Sequence, residues 1–139
     1  MDLVSRRVQD RISAIEPAGS ATEIALRYLE EVIPLDSDRQ AEFDIWLSFV
    51  AQAQAESGAG GLREHLGPIQ EGLRGLCRSL LESLGNAGGL RAGLDLDLET
   101  ERLHALVDGL SLHTSMQPSR TTPARVREIL TDHLNTLQP

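Results

Sequence analysis

Residues 97 to 116, DLETERLHALVDGLSLHTSM, carry two apolar stripes where a surface helix would carry one. At about 100° per residue, Leu103, Leu106, Val107 and Leu110 align on one side of a helix. Leu98, Ala105, Gly109, Leu112 and Met116 fall roughly opposite. One stripe suffices to seat a helix on a core, so two require cover from both directions. Ala105 and Gly109 are small and permit close approach on the second side. Two arrangements satisfy the pattern: a second copy of the chain closing over that side, or a helix internal to a monomeric bundle. A polar strip of His104, Asp108, Ser111 and Ser115 runs between the stripes. Asp97 is the expected cap, with Glu99 in the first turn.

The other 119 or so residues must supply that cover, and their composition is helical: rich in Leu, Ala, Glu and Arg, with few aromatics. A chain of 139 residues fits one domain, residues 1–139, with a sizeable core. A net charge of −8 argues against a dominant nucleic-acid surface, which needs clustered positive charge. The single cysteine, Cys77, excludes an internal disulfide framework and fits a reducing cytoplasm. No apolar run approaches the roughly 20 residues that span a bilayer, so no membrane role and a cytoplasmic location are expected.

In chain order, residues 1–16 read as a helix with Val4, Val8, Ile12 and Ile15 on one face and Arg6, Arg7 and Arg11 beside it as a solvated face. It begins with no cap except Asp2, as a helix continuing from something upstream would. Pro17-Ala18-Gly19 ends it, and Ser20 or Thr22 caps a second helix over about 21–33, stopped by Pro34. Asp36 caps a third, about 37–56, whose middle is apolar nearly all round and is therefore expected to be the most buried element. Ser57 to Gly61 is a loop. A fourth helix spans about 62–84 on the stripe Leu62, Leu66, Ile69, Leu73, Leu76, Leu80 and Leu84, with a kink or break expected at Gly67-Pro68. Thr122, with Pro123 in the first helical position, starts a last helix carrying Val126, Ile129, Leu130, His133, Leu134 and Leu137. Six helices and no strand candidates make an all-α antiparallel bundle.

Chemistry-bearing motifs are sparse. There is no phosphate-cradling loop after a strand, no paired-cysteine site and no nucleophile elbow, so no enzyme and no cofactor are expected. His104 and Asp108, at i and i+4, are either a satisfied polar strip, an anchor for a polar ligand or half of a metal site that lacks its other half. His133 on the last apolar stripe reads as a hydrogen-bonded interface residue. His65 and His113 have no partner that the sequence names. Cys77 reads as a buried small hydrophobe.

The segments Leu29-Glu30-Glu31-Val32-Ile33-Pro34-Leu35-Asp36, Arg39-Gln40-Ala41-Glu42 and Ile45-Trp46-Leu47-Ser48-Phe49 resemble the C-terminal regulatory domain of TetR-family transcriptional repressors. The subgroup with the choline-responsive betaine regulators is the nearest in flavour. Leu94 to Glu99 followed by Leu106-Val107-Asp108-Gly109-Leu110 is similar to that family's penultimate helix, and Val126 to Leu137 to its final one. The resemblance implies an all-α domain that binds a small effector among its helices and dimerises through its last two long helices. Residues 1–16 then correspond to the helix connecting to a DNA-binding head. The family's N-terminal helix-turn-helix has no counterpart in this sequence. The chain is therefore expected to be either a piece of a longer repressor or a headless relative, touching operator DNA only through a head outside it.

On that footing the expected pocket residues are Tyr28, Phe43, Trp46, Phe49, Gln70, Leu73, Cys77, His104 and Asp108, with no metal. The expected homodimer interface is Leu98, Ala105, Gly109, Leu112, Met116, Val126, Ile129, Leu130, His133, Leu134 and Leu137. The competing reading is a headless helical interaction protein with a filled core and no effector.

Overall fold

A computed structural model describes residues 2–55 and 62–139. The expected loop at 57–61, with its glycines, lies outside them, as does the side chain of His65. The described residues form six helices and no strand: α1 (Asp2–Ser13), α2 (Ala21–Glu31), α3 (Ser37–Ala55), α4 (Leu62–Asn86), α5 (Leu96–Met116) and α6 (Pro123–Asn135).

The caps follow from residue chemistry. Ser20 accepts from the Glu23 amide while the Glu23 carboxylate accepts from the Ser20 amide, a reciprocal box that satisfies two donors at the start of α2. Asp36 Oδ1 accepts from the Arg39 amide at 2.8 Å at the head of α3. Thr122 caps α6, with Pro123 behind it. At α5 the cap is Asp95, whose side chain accepts from the Leu98 amide; the helix starts at Leu96, ahead of the expected Asp97. Asp97 instead pairs with Arg78 of α4. α4 passes through Pro68 without the expected break. One proline removes a single ladder bond, which the rest of a 25-residue helix outweighs. At its end, positive φ at Gly88 turns the chain so that the Gly89 amide returns to the Leu84 carbonyl at 2.8 Å.

The core is built by α2, α4, α5 and α6. Leu29, Ile33, Cys77, Leu81, Leu103, Val107, Val126 and Leu130 are all fully buried in one cluster. Neighbours run antiparallel: Arg74 pairs with Glu101 and Arg78 with Asp97 between α4 and α5, and Arg127 near the start of α6 reaches Glu30 near the end of α2.

α3 is not the most buried element. Of its residues only Glu42 and Ala53 are buried, while Phe43, Trp46 and Phe49 are half-covered and Ile45 is exposed. Its apolar residues are spread round the cylinder, so a bundle that covers one side leaves the others out.

The end of α2 is the electrostatic junction of the fold. Its last carbonyls and Glu30 and Glu31 are a concentration of negative charge at the negative end of the helix dipole. Three arginines from three other helices meet it. Arg39 donates to the Glu30 carbonyl at 2.6 Å, Arg127 bonds the Glu30 carboxylate at 2.9 Å, and Arg11 bonds Glu31 at 3.0 Å. Arg11, expected to be solvated, is thus committed inside the molecule.

Candidate functional site

α5 turns its two stripes in opposite directions, as the sequence demands. Leu103, Val107 and Leu110 are buried, with Leu106 half-buried beside them. On the other side Leu98 is 47 %, Leu112 38 % and Met116 67 % exposed, with Ala105 exposed between them. A Cβ built on Gly109 would meet nothing within 4 Å. Among the described residues, the second stripe of α5 faces outward and is not covered by another helix.

The α6 residues divide. Val126, Leu130, Leu134 and Leu137 are at most 3 % exposed and belong to the subunit's own core. Buried within the single chain, these four of the expected interface residues offer almost no surface to a second copy. The reason is geometric: at steps of four and three residues they share a single stripe, which joins the core cluster with α2, α4 and α5. Ile129 and His133, one step round the helix, are only partly buried.

Between α4 and α5, the expected pocket residues come together in part. His104 Nε2 stands 3.5 Å from Asp108 Oδ2, and the imidazole is 12 % exposed. That nitrogen is buried without a hydrogen-bond partner. Burial pushes the Asp108 carboxyl above its ordinary value, and His104 pulls it part of the way back. Burial, with Asp108 adding its negative charge, raises the Cys77 thiol to about 12, so Cys77 is an inert member of this group. Farther along the strip Ser111 is buried, and Ser115 accepts from Gln40 of α3 at 2.8 Å. That bond ties the first turns of α3 to the end of α5. Gln70 and Leu73 are half-buried on α4, and Phe43, Trp46 and Phe49 are half-buried on α3, which packs on both α4 and α5. Tyr28 joins the core from α2, whose main neighbours are α1, α4 and α6.

Two surface clefts stand elsewhere. One, of 350 Å³, lies among Ile15, Glu16, Ala18, Arg27, Glu30 and Glu31. The other, of 290 Å³, lies among Glu71, Arg74, Gly75, Arg78, Asp97 and Thr100. Neither is lined by an expected pocket residue. Among the described residues no group of His, Cys, Asp and Glu could hold a metal ion, and no helix is long and apolar enough to cross a membrane.

A second polar site escaped the sequence. Glu99 is 3 % exposed; its Oε1 accepts from Arg102 at 2.7 Å while its Oε2 is buried without a partner. His133 Nε2, across on α6, is likewise buried and unpartnered, and burial lowers its pKa against the pull of Glu99. Glu99 reads in the sequence only as a first-turn carboxylate, because nothing in a linear pattern tells which side of that turn meets α6.

Comparison with known proteins agrees with this architecture. Residues 21–139 match the family model described as the BetI-type transcriptional repressor, C-terminal. The HTH-type transcriptional regulator PksA of Bacillus subtilis (strain 168) is 30 % identical over 138 residues, which are 99 % of this chain and 64 % of PksA. The chain thus spans somewhat under two thirds of that relative's length. A crystal structure of a transcriptional regulator from Rhodococcus sp. Rha1 shares the fold with a TM-score of 0.76 at 19 % identity, over 98 % of this chain and 67 % of that one. This chain belongs to the TetR family, as a C-terminal domain of the BetI type.

Proposed function

We propose that this domain is the sensing and dimerising part of a transcriptional repressor. It binds a small molecule among α3, α4 and α5 and passes the event to a helix-turn-helix head of the kind that PksA's description names. The observation that carries the sensing reading is the buried, unpartnered Nε2 of His104 beside Asp108. Buried polar atoms are nearly always hydrogen-bonded, and one left unpaired costs about 1–3 kcal/mol. A ligand group that bonds it recovers this cost, while the half-covered aromatics of α3 supply apolar area.

The dimer reading rests on the outward stripe of α5, completed by Ile129 and His133 of α6. A symmetric pair of such faces forms a four-helix seam, and Gly109 lets the two α5 helices approach closely. Ligand then acts by binding one dimer geometry better than the other; only that difference in affinity moves the equilibrium. The geometry matters because a symmetric repressor must hold its two recognition helices about one DNA turn, roughly 34–36 Å, apart.

The test is ligand-induced thermal stabilisation across a panel of small amphipathic molecules, with His104→Phe as the paired variant. A ligand of the folded state at about a hundredfold above its Kd adds about 2.7 kcal/mol. The expected result is a shift in wild type that His104→Phe loses. A ligand-free interaction module predicts no shift with any compound, and that result overturns the sensing reading.

A further inference from the structure

Two helices stand outside the hydrophobic core. Among the described residues, neither α1 nor α3 gives a side chain to the buried cluster or to the partly buried hydrophobics packed against it. α1 rests on α2, and α3 rests on α4 and α5. Arg11 joins the two. Its Nη1 and Nη2 donate to the two oxygens of Glu42 at 2.9 and 2.7 Å, and its Nε donates to Glu31 at 3.0 Å. The Glu42 side chain is only 8 % exposed. Apolar contact lets helices slide, but a two-pronged guanidinium–carboxylate bond has one geometry, and losing it strands a buried charge.

We infer that Arg11 and Glu42 form a latch that couples α1 to α3, so that a displacement of α3 reaches α1 through this bond as well as through α2, to which Glu31 also ties Arg11. α3 is suited to pivot, since its first turn is pinned to the end of α2 by Arg39, through the Glu30 carbonyl and Asp36. Glu42 sits one turn farther on and immediately precedes Phe43, the first of the half-covered aromatics. A shift of α3 on its underlying helices therefore moves the Glu42 carboxylate, which either carries Arg11 with it or releases it. That a ligand is what moves α3 rests on the proposed function; the latch itself operates with or without one.

The experiment is accordingly ligand-free: amide hydrogen exchange on the full chain for wild type, Arg11→Met, Glu42→Gln and the double variant. Arg125→Met, whose partner Glu128 is on its own exposed helix face, is the control for loss of one positive charge. Arg11→Met, a change confined to α1, is expected to speed exchange in the first half of α3 as well as in α1, by about tenfold or more, while α4, α5 and α6 keep their protection. The double variant is expected to match Arg11→Met, which already loses the Glu42 bond along with the one to Glu31, and not the product of the two singles. Faster exchange in α1 alone, or effects of the two singles that multiply, overturns the latch. Should Glu42→Gln unfold the chain, the Arg11→Met comparison of α1 with α3 still decides. A working latch in a protein that binds none of the panel compounds would leave this inference standing and sink only the sensing reading.

Discussion

Leu130→Ala separates the two roles that the α6 periodicity leaves superimposed. Leu130 is 0 % exposed within a single chain and sits in the cluster with Leu29, Leu103 and Val126. The substitution deletes three carbons, worth about 2.4 kcal/mol at about 0.8 kcal/mol each. The cavity left in a tightly packed site adds to this, so about 3–4 kcal/mol is expected, inside the 2–5 kcal/mol observed for such changes. For a domain of this size that is a fall in Tm of about 10–15 °C. Thermal melts followed by circular dichroism, at low and high protein concentration, give the loss for the variant against wild type. The expected loss is the same at both, with self-association measured by sedimentation unchanged in the folded variant. A folded Leu130→Ala of wild-type monomer stability that no longer associates would refute the assignment of α6's apolar stripe to the subunit core.

Two further changes probe smaller features. Gly19 has φ of +101°, and a Cβ there would run into the Glu23 carboxylate of the α2 capping box, so Gly19→Ala is expected to cost about 1–2 kcal/mol, and an unchanged melting curve contradicts this. His133 has its pKa lowered from 6.5, chiefly by burial. The unfolded chain then binds more protons, so this contribution to stability is complete above about pH 6.5 and is lost as pH falls through the lowered folded value. Asp108 works the other way: its raised value gives stability that is complete below 3.8 and lost as pH rises through that value. A pH series of melts on wild type and His133→Gln, which leaves Asp108 in place, is expected to show a flatter acid fall in the variant below pH 6.5; parallel curves contradict it.

Helix number, most caps and the two-sidedness of α5 are legible in the sequence because each depends on residues within a few positions of one another. Ser20 with Glu23, Asp36 with the Arg39 amide and Thr122 with Pro123 are local chemistry. What escaped is what depends on distant partners. Arg11 is one of three arginines on an exposed-looking face, and only the folded chain brings Glu31 and Glu42 to it. Leu130 and Ile129 are both apolar on α6, and periodicity cannot say which of them the subunit keeps for itself. α3 misled for a related reason: an all-round apolar middle predicts burial only if enough neighbours exist to surround it, and here they cover one side. Of the candidate site, the pair His104 and Asp108 follows from helix spacing, whereas the unsatisfied Nε2 is a property of packing that no spacing encodes.

The account turns on the outward side of α5 closing against a second copy of the chain. Sedimentation velocity of wild type and Leu112→Glu, with circular dichroism confirming equal helix content, measures this directly. The expected result is a dimer for wild type and a folded monomer for the variant, since the carboxylate would be buried without a partner in the seam. A wild-type chain that stays monomeric at high concentration, or a Leu112→Glu dimer as tight as wild type, contradicts it.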